Sequence, residues 1–438
     1  MQTKTFKGGV SVSEHKGFTA LKKMRAIPAP PEVVIPLSQH IGSPNEPVVK
    51  SGDEVKVGQL IGSTKAFVSA PVHATVSGKV GSIRPFAHHI YGKSLAVSIE
   101  NNGKNEYMVF AERNAPETLP EEELINIVKE AGIVGMGGAA FPTHVKLSIP
   151  EGKHVDTLIV NGAECEPYLT CDHRLMVEKT EGIIKGMCTV ARILGAKNIF
   201  LAIEENKLSA ILAMDKAVKK AQRPSIKIVV LKTKYPQGGE KQLLMAILKK
   251  EVPPSKLPLD VGCVVQNVGT CFAVYEAVYH GKPLIERCVT LTGNPLKEPG
   301  NFIVRFGTPL KHLIDSSGGL KEPVAKVIIG GPMMGLAQYS LDIPIIKGIT
   351  GVVLLSKKDM ESFEEMPCIR CAKCVDICPI NLMPTEIMRM VKHSRWHYMK
   401  ELHAVDCMEC GACSYICPSR IPLTQYIKLA KIRELNKK

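Results

Sequence analysis

The chain has 438 residues, of which 45% are hydrophobic and 22% are charged, values that exclude a disordered or collagen-like protein and predict several domains. No apolar run approaches the roughly 18 residues that span a bilayer, and residues 1–9 contain no apolar secretory core. The sequence therefore predicts a soluble, cytoplasmic protein. The net charge of +14 suits an anionic membrane surface, acidic redox partners or plain solubility. No nucleic-acid partner is expected, because aromatic residues make up only 5% and no helix-turn-helix or zinc-finger pattern is present.

Residues 1–115 are predicted to form a small all-β domain, because short apolar runs between residues 27 and 99 alternate with Gly and Pro. The segments 51–60 and 70–80 resemble the barrel-sandwich hybrid of lipoyl and biotinyl carrier domains. Lys65 is the nearest candidate for a swinging-arm lysine, but the usual modified hairpin is missing, which favours an unmodified structural copy. The predicted strands are 32–37, 48–49, 59–61, 72–76 and 95–99.

Residues 116–281 are predicted to form an open parallel α/β domain, because short apolar strands alternate with helix-length stretches. In such sheets, ligands bind beyond the carboxyl ends of the strands. The segments that follow the strands are rich in Gly, Asn, Glu and Tyr, which predicts a nucleotide-like cofactor at this edge. The predicted strands are 157–160, 199–203, 226–231 and 263–265, and the predicted helices are 121–131, 174–194, 207–220, 240–250 and 271–280.

The rest of the chain divides into two smaller domains. Residues 282–358 combine predicted strands 288–292, 326–329 and 351–354 with a helix at 310–316, and they resemble the soluble-ligand-binding β-grasp (SLBB) module. Residues 359–438 hold a cysteine array between helices, which predicts a helical two-cluster ferredoxin domain. The predicted fold class is therefore multidomain α/β, with the four domains in the order barrel-sandwich hybrid, parallel α/β, β-grasp and ferredoxin.

The cysteine array predicts two [4Fe–4S] clusters. Eight of the 14 cysteines fall in two copies of the spacing C-x2-C-x2-C-x3-C-P, the bacterial two-cluster ferredoxin pattern. In that pattern, the fourth cysteine of each copy ligates the other cluster. The predicted ligands of cluster one are Cys368, Cys371, Cys374 and Cys417, and those of cluster two are Cys407, Cys410, Cys413 and Cys378.

Other metal chemistry is disfavoured by the same spacing. Structural zinc usually takes two Cys-x-x-Cys pairs without the x3-Cys-Pro tail. His393 and His397 have metal spacing if they share a helix, but eight thiolates already complete both clusters, so we interpret these histidines as a solvated or packed face. The other six cysteines lack cluster spacing and are expected to be buried, inert thiols.

A glycine-rich loop supplies the flavin signal. Residues 135–140 formally meet G-x-G-x-x-A, but they follow a predicted helix rather than a strand, which argues against an ordinary Rossmann site. The loop and its continuation to residue 146 look like the flavin loop of the NADH-oxidising subunit of respiratory complex I. Residues 161–167, 235–240 and 267–270 resemble later cofactor segments of that family. The sequence departs from the family at Ala163, where the family has Asp, and at Gly269, where it has an acidic residue.

The resemblance implies one site for FMN and NAD(H), and the residue types agree with it. Glycines let a planar ring and its phosphate approach the backbone, and Lys146 adds positive charge. Phe141 is expected to stack on nicotinamide, two asparagines to meet the flavin edge, and two glutamates to accept hydrogen bonds from NAD(H). For each residue, a tight turn or a surface carboxylate is the alternative. The candidate cofactor-binding residues are Gly135, Gly137, Gly138, Phe141, Lys146, Asn161, Glu164, Glu166, Tyr235, Gly238, Gly239, Glu240, Asn267 and Thr270.

The order of the four domains resembles the RnfC family, which supplies one subunit of the Rnf complexes, over nearly the whole chain. That resemblance implies a peripheral subunit on the cytoplasmic face of the membrane, in an ion-pumping ferredoxin:NAD⁺ oxidoreductase with integral membrane and ferredoxin-type partner subunits. No acid–base or nucleophilic catalytic residue is expected, because the cofactors supply the redox chemistry. Two alternatives remain: a soluble cobalamin reductase with FMN and two [4Fe–4S] clusters, and an electron wire whose flavin site is degenerate.

Overall fold

Four β-sheets organise the described part of the chain, which comprises residues 3–223, 225–360 and 364–435 of a computed structural model. Two small sheets, one parallel sheet and one mixed sheet follow one another along the sequence, and a helical unit comes last. This order agrees with the predicted fold class, while the domain boundaries at 115, 281 and 358 stay a prediction. Within these residues, no helix is both long enough and apolar enough to cross a membrane.

The first unit is a pair of antiparallel sheets around a small apolar core. Side chains alternate between the faces of each strand, so Val33 and Ile35 are buried whereas Glu32 is exposed. The sequence pattern predicts only the second arm of the long hairpin, because a bulge between Val80 and Ile83 interrupts the alternation in the first arm. The prediction of a strand at 48–49 was wrong, because the strand lies instead at 46–47. In order, the sheets contain Glu32–Pro36, Gly92–Asn101, Gly78–His88 and Glu54–Val55, and then Glu46–Pro47, Leu60–Ser63 and Val72–His73.

The N-terminal segment leaves the barrel-sandwich unit and pairs with other parts of the chain. Lys4 forms a parallel bridge to Leu231, and Val10 forms an antiparallel bridge to Tyr235. The strand Met24–Ala26 then pairs in parallel with Gly300–Arg305 of the mixed sheet. Residues 3–26 are therefore a strap across the α/β and β-grasp units, although the sequence pattern groups them with the first domain.

The second unit is the expected parallel sheet with helices around it. Its strands are continuous apolar runs, because both faces of the sheet are covered by helices. The helix expected at 174–194 is divided into two at Lys179, whose φ of −127° is not helical. The strand order is Ile226–Leu231, Asn198–Glu204, Thr157–Gly162 and Cys263–Asn267. The helices are Glu121–Glu130, Thr143–Leu147, Cys171–Glu178, Thr180–Ile193, Leu208–Lys220, Glu240–Leu248 and Val268–His280.

The third unit is a six-stranded mixed sheet with the helix Leu310–Ser316, which lies where the sequence predicts it. Three strands that the sequence pattern does not predict complete this sheet: Met24–Ala26, Gly300–Arg305 and Leu336–Gln338. Residues 330–335 form a glycine-rich loop that leads into its last strand. The strand order is Met24–Ala26, Gly300–Arg305, Glu286–Thr292, Gly351–Leu355, Lys326–Ile329 and Leu336–Gln338.

In the described residues of the last unit, four α-helices pack around the cysteines. Ile387 and Ile427 are buried in its core, and each comes from one of the two longer helices. The first longer helix ends at Lys392, so His393 and His397 do not share a helix and the i, i+4 metal geometry is not formed. The helices are Lys373–Asp376, Pro384–Lys392, Ala412–Ile416 and Leu423–Leu435.

Candidate functional site

One cavity of about 640 Å³ lies at the carboxyl edge of the parallel sheet. Loops of all four units line it, including His89 of the first unit, Gly330 and Gly348 of the β-grasp unit, and Met408 of the cysteine unit. This position agrees with the rule that ligands bind beyond the carboxyl ends of parallel strands. Ten of the predicted cofactor-binding residues line the cavity: Gly137, Gly138, Asn161, Glu164, Glu166, Tyr235, Gly238, Gly239, Glu240 and Asn267.

The remaining four predicted residues, Gly135, Phe141, Lys146 and Thr270, are not part of this lining. The Gly135 N–H donates to the Phe141 carbonyl at 2.8 Å, which closes the glycine loop. The Thr270 hydroxyl accepts from the Met136 N–H at 2.9 Å and holds the same loop. Lys146 forms an ion pair with Glu240. The expected stacking of the Phe141 ring on nicotinamide therefore has no support in the structure, because that residue does not reach the cavity.

The cavity is large enough for a flavin nucleotide. Ligand sites commonly enclose about 300–1,000 Å³, and the volume here falls within that range. Gly138 has a φ of +121°, and a Cβ added to it would meet no atom within 4 Å. The space next to the Gly138 backbone is therefore open. A planar ring can approach the backbone at such a position. The structure is thus consistent with FMN bound against the glycine loop.

Asn161 and Asn267 hold the strand-end loops together. The Asn161 amide donates to the Gly238 carbonyl at 2.8 Å, and its oxygen accepts from the Ala163 N–H at 3.1 Å. The Asn267 oxygen caps the helix Val268–His280 by accepting from its first N–H groups. These bonds use the oxygen and one N–H of each amide, so both asparagines shape the site before any ligand binds.

Glu164 caps the helix Cys171–Glu178 from the edge of the cavity. Its carboxylate accepts from the backbone N–H groups of Asp172, at 2.8 Å, and His173, at 3.2 Å. These bonds satisfy two of the donors that a helix start leaves without partners. The carboxylate is therefore fixed in place at the cavity wall.

Asp172 is a cavity residue that was not predicted from the sequence. Its buried carboxylate accepts from the Asn267 amide at 2.7 Å. Burial, and then the charge of Glu164, raise the pKa of Asp172 to about 7. A Cβ built on Gly269 would lie 3.7 Å from the nearer Asp172 oxygen. The Asp172 carboxylate thus lies beside Gly269, the position where the complex I pattern has an acidic residue. Asp172 itself belongs to the helix that follows the 161–167 segment. The only sequence signal was an Asp in the first turn of that helix.

Glu166 connects the α/β unit to the glycine-rich β-grasp loop. Its carboxylate accepts from the Met333 N–H at 3.1 Å and the Met334 N–H at 2.9 Å. A Cβ on Gly331 would lie 2.2 Å from a Glu166 oxygen, so only glycine allows this approach. Burial raises the pKa of Glu166 to about 7. The contact with this loop was not predicted from the sequence, because the loop lies more than 160 residues further along the chain.

Tyr235 connects the cavity to the second cysteine group. Its side chain is buried, and its hydroxyl donates to the Cys410 carbonyl at 2.7 Å. On the same side, the Gln242 amide donates to the Pro379 carbonyl at 3.1 Å, and Met408 contributes to the cavity wall. The cavity and this cysteine group are therefore direct neighbours.

The eight array cysteines form two groups in space. Cys368 and Cys371 of the first group are exposed, whereas three members of the second are buried. Burial raises the pKa of Cys410 to about 12, so a thiolate there needs a nearby cation, which the iron of a cluster supplies. One pocket is lined by Cys368, Cys371, Cys374 and Cys417, and the other by Cys378, Cys407, Cys410 and Cys413. Each group therefore fits one [4Fe–4S] cluster.

The other cysteines are separate from these groups. Cys165 lies at the cavity wall, where its sulfur accepts from the Gly238 N–H at 3.3 Å. Burial raises its pKa to about 12, which makes it an inert thiol at neutral pH.

Four family models match the chain in the order that the fold shows. They are the RnfC barrel sandwich hybrid domain at residues 4–104, the Nuo51 FMN-binding domain at 128–276, the SLBB domain at 288–337 and the 4Fe-4S dicluster domain at 367–421. The crystal structure of an NAD⁺-reducing [NiFe]-hydrogenase in the H₂-reduced state contains a chain with a similar fold. Its TM-score is 0.52 at 19% identity, over 75% of this chain and 69% of that chain. Fold and sites thus define an electron-transfer protein that contains FMN and two [4Fe–4S] clusters.

Curated relatives extend over most of the chain. The RnfC-type subunit of the proton-translocating ferredoxin:NAD⁺ oxidoreductase complex of Clostridium ljungdahlii is 48% identical over 91% of this chain and 87% of its own. The Na⁺-translocating counterpart of Acetobacterium woodii is 42% identical over 92% and 90%, and the corresponding protein of an ion-translocating oxidoreductase complex from Rhodobacter capsulatus is 41% identical over 88% and 75%. The chain belongs to the RnfC family, whose members are subunits of the ion-translocating ferredoxin:NAD⁺ oxidoreductase complexes, the Rnf complexes. Nothing in these matches favours the cobalamin reductase alternative.

Proposed function

We propose that this chain passes electrons between NAD(H) and two [4Fe–4S] clusters through FMN, as a subunit of an ion-translocating ferredoxin:NAD⁺ oxidoreductase. The observation that carries the proposal is the contact between the cavity and the second cysteine group, through the Tyr235 hydroxyl and the Cys410 carbonyl. NADH gives up two electrons as a hydride and a cluster takes one, and FMN supplies the conversion between them. The proposed part of the protein is to hold FMN and NAD(H) in one cavity that adjoins cluster two.

The cavity residues divide into two roles in this proposal. Gly138 leaves room for the flavin ring and Gly137 lies against Asn267 beside it, while Asn161 and Asn267 fix the loops around the ring. Glu164 and Glu166 are proposed to face NAD(H), because both are fixed at the cavity wall. The uncapped first turn of Glu240–Leu248 also lines the cavity, and its N–H groups favour a phosphate.

We propose that the more buried cluster lies next to the flavin in the electron path and that the more exposed cluster lies further from it. Cluster two, at Cys378, Cys407, Cys410 and Cys413, adjoins the cavity and is proposed to exchange electrons with the flavin. Cluster one, at Cys368, Cys371, Cys374 and Cys417, shares no lining residue with the cavity and is proposed to exchange electrons with partner subunits. The exposure of Cys368 and Cys371 supports this direction from the cavity to the surface.

A spectrum of the purified protein tests the redox function. The full chain, reconstituted anaerobically with iron, sulfide and FMN, is expected to bind FMN and to lose the flavin absorbance when NADH is added. Reconstituted protein that binds no flavin would support the electron-wire alternative. Protein that binds flavin but is not reduced by NADH would contradict the proposed NAD(H) site.

The location proposed for the chain is the cytoplasmic face of the membrane, as a peripheral subunit. A net charge of +14 favours attachment to anionic lipid or to acidic surfaces of integral membrane and ferredoxin-type subunits. The native protein is therefore expected to sediment with membranes and to be released by chaotropes without detergent. Recovery entirely in the soluble fraction of gentle lysates would contradict this location and favour a soluble reductase.

A further inference from the structure

The N-terminal strap lies against the loop that carries the two cavity glutamates. The Tyr168 N–H donates to the Glu14 carbonyl at 2.8 Å, and the His15 ring stacks on the Tyr168 ring at 4.6 Å between centroids. The hydroxyls of Thr19 and Thr170 form a buried hydrogen bond of 2.7 Å. Residues 14–19 therefore follow the loop 164–170 along its whole length.

Lys16 is the centre of this contact. Its ammonium donates to three carbonyls of the loop, those of Glu164 and Glu166 at 2.9 Å each and that of Leu169 at 2.6 Å. An ammonium has three N–H donors, so these bonds use its full capacity. Burial, and then the charge of Lys207, lower the pKa of Lys16, whereas Glu164 and Glu204 oppose this change.

The loop that Lys16 holds is strained. Glu164 has a φ of +52° and Tyr168 has a φ of +69°, both in the left-handed region that residues with side chains seldom occupy. Such conformations persist only where the surroundings fix them. Here one ammonium binds the carbonyl of Glu164 itself, that of Glu166 and that of Leu169, which directly follows Tyr168, so it opposes relaxation of both strained positions.

We propose that Lys16 is a positioning residue of the NAD(H) site, which holds the strained loop 164–169 so that the carboxylates of Glu164 and Glu166 face the cavity. This inference rests on the proposed function of the cavity. It assigns the N-terminal strap, which lies outside the match to the FMN-binding domain at 128–276, to the cofactor site. The three hydrogen bonds of the Lys16 ammonium go to backbone carbonyls, so it acts on the ligand through the two glutamates.

Replacement of the lysine by a neutral side chain of similar length tests the proposal. Lys16→Met removes all three hydrogen bonds, and Lys16→Gln keeps an amide donor without the charge. Lys22→Met is the matched control, because Lys22 lies on the same strap but donates to the Pro299 carbonyl at the surface. Each full-length variant is reconstituted anaerobically, its iron and FMN contents are measured, and NADH-driven reduction of ferricyanide gives KM and kcat.

The expected result is a rise of about tenfold or more in KM for NADH in both Lys16 variants, equivalent to about 1.4 kcal/mol. Their iron and FMN contents and their kcat should stay near those of wild type and Lys22→Met, because the flavin loop and the clusters are untouched. The proposal is overturned if either Lys16 variant retains both cofactors and has a KM within about twofold of that of wild type. It is also overturned if FMN and iron are lost together, because that result would mean that Lys16 only supports the fold. If NADH does not reduce the reconstituted wild-type protein, that result would instead contradict the proposed function itself.

Discussion

The crossed arrangement of cluster ligands makes a quantitative prediction about iron content. Cys378 lines the same pocket as Cys407, whereas Cys374, four residues before it in the chain, lines the other pocket. We expect a [4Fe–4S] cluster to be lost on reconstitution when one of its four thiolates is missing, so each damaged cluster should remove about four of about eight iron atoms per chain. Pairs of substitutions therefore report which cysteines share a cluster.

Two double variants distinguish the arrangements. Cys378→Ala with Cys407→Ala damages one pocket and should keep about four iron atoms, whereas Cys378→Ala with Cys374→Ala damages both and should keep almost none. Cys188→Ala, outside both pockets, is the control and should keep about eight. The assay is iron analysis after anaerobic reconstitution, with electron paramagnetic resonance of the dithionite-reduced protein. The reverse pattern, with iron retained when Cys374 and Cys378 are both replaced, would refute the crossed ligation.

Three further outcomes are expected. Gly137→Val should expel flavin and leave the iron content unchanged, as measured by absorbance and iron analysis. Gly137 lines the cavity and a Cβ there would already lie 3.5 Å from the Asn267 Cβ, so the two methyl groups of valine must displace Asn267 or enter the cavity; full flavin binding and NADH reduction would mean that the site lies elsewhere. Glu166→Ala should keep flavin and raise the NADH concentration needed for flavin bleaching, since the Met333 and Met334 N–H groups lose their acceptor; an unchanged requirement would contradict that role. Burial lowers the pKa of Lys347 to about 7. Above that pH, the folded chain releases the proton of Lys347 whereas the unfolded chain keeps it, so protonation favours the unfolded chain as the pH falls. Wild type should therefore lose thermal stability relative to Lys347→Met as the pH falls from about 9 to about 7, measured as the melting temperature of wild type minus that of the variant. A difference that stays constant over this range would contradict the lowered pKa of Lys347.

The cysteine and flavin signals are predictable from sequence because their chemistry depends on local spacing. The two cysteine runs fix both the type and the number of clusters, and no distant residue is needed to read them. The strand-end segments were also correctly placed, since parallel strands bring their carboxyl ends to one edge, and ten of fourteen predicted residues line one cavity.

The missed features depend on contacts between distant parts of the chain. The β-grasp loop meets Glu166 through backbone N–H groups, which any residue other than proline would supply, so no side-chain pattern marks it. Lys16 likewise resembles any surface lysine in sequence, and only the folded chain shows it buried against three carbonyls. The stacking of Phe141 on nicotinamide stays a prediction from sequence; in the structure, the Phe141 carbonyl closes the glycine loop by accepting from the Gly135 N–H.

The order of carriers, from the cavity to cluster two and then to cluster one, is the central claim, and Cys410→Ala tests it most directly. This substitution removes cluster two next to Tyr235 and leaves the four cysteines of cluster one intact. After NADH is mixed anaerobically with the variant, stopped-flow absorbance should show that the flavin is reduced, and rapid-freeze electron paramagnetic resonance should show no signal from a reduced cluster one. Dithionite should still produce that signal. Reduction of cluster one by NADH at the wild-type rate would contradict the account.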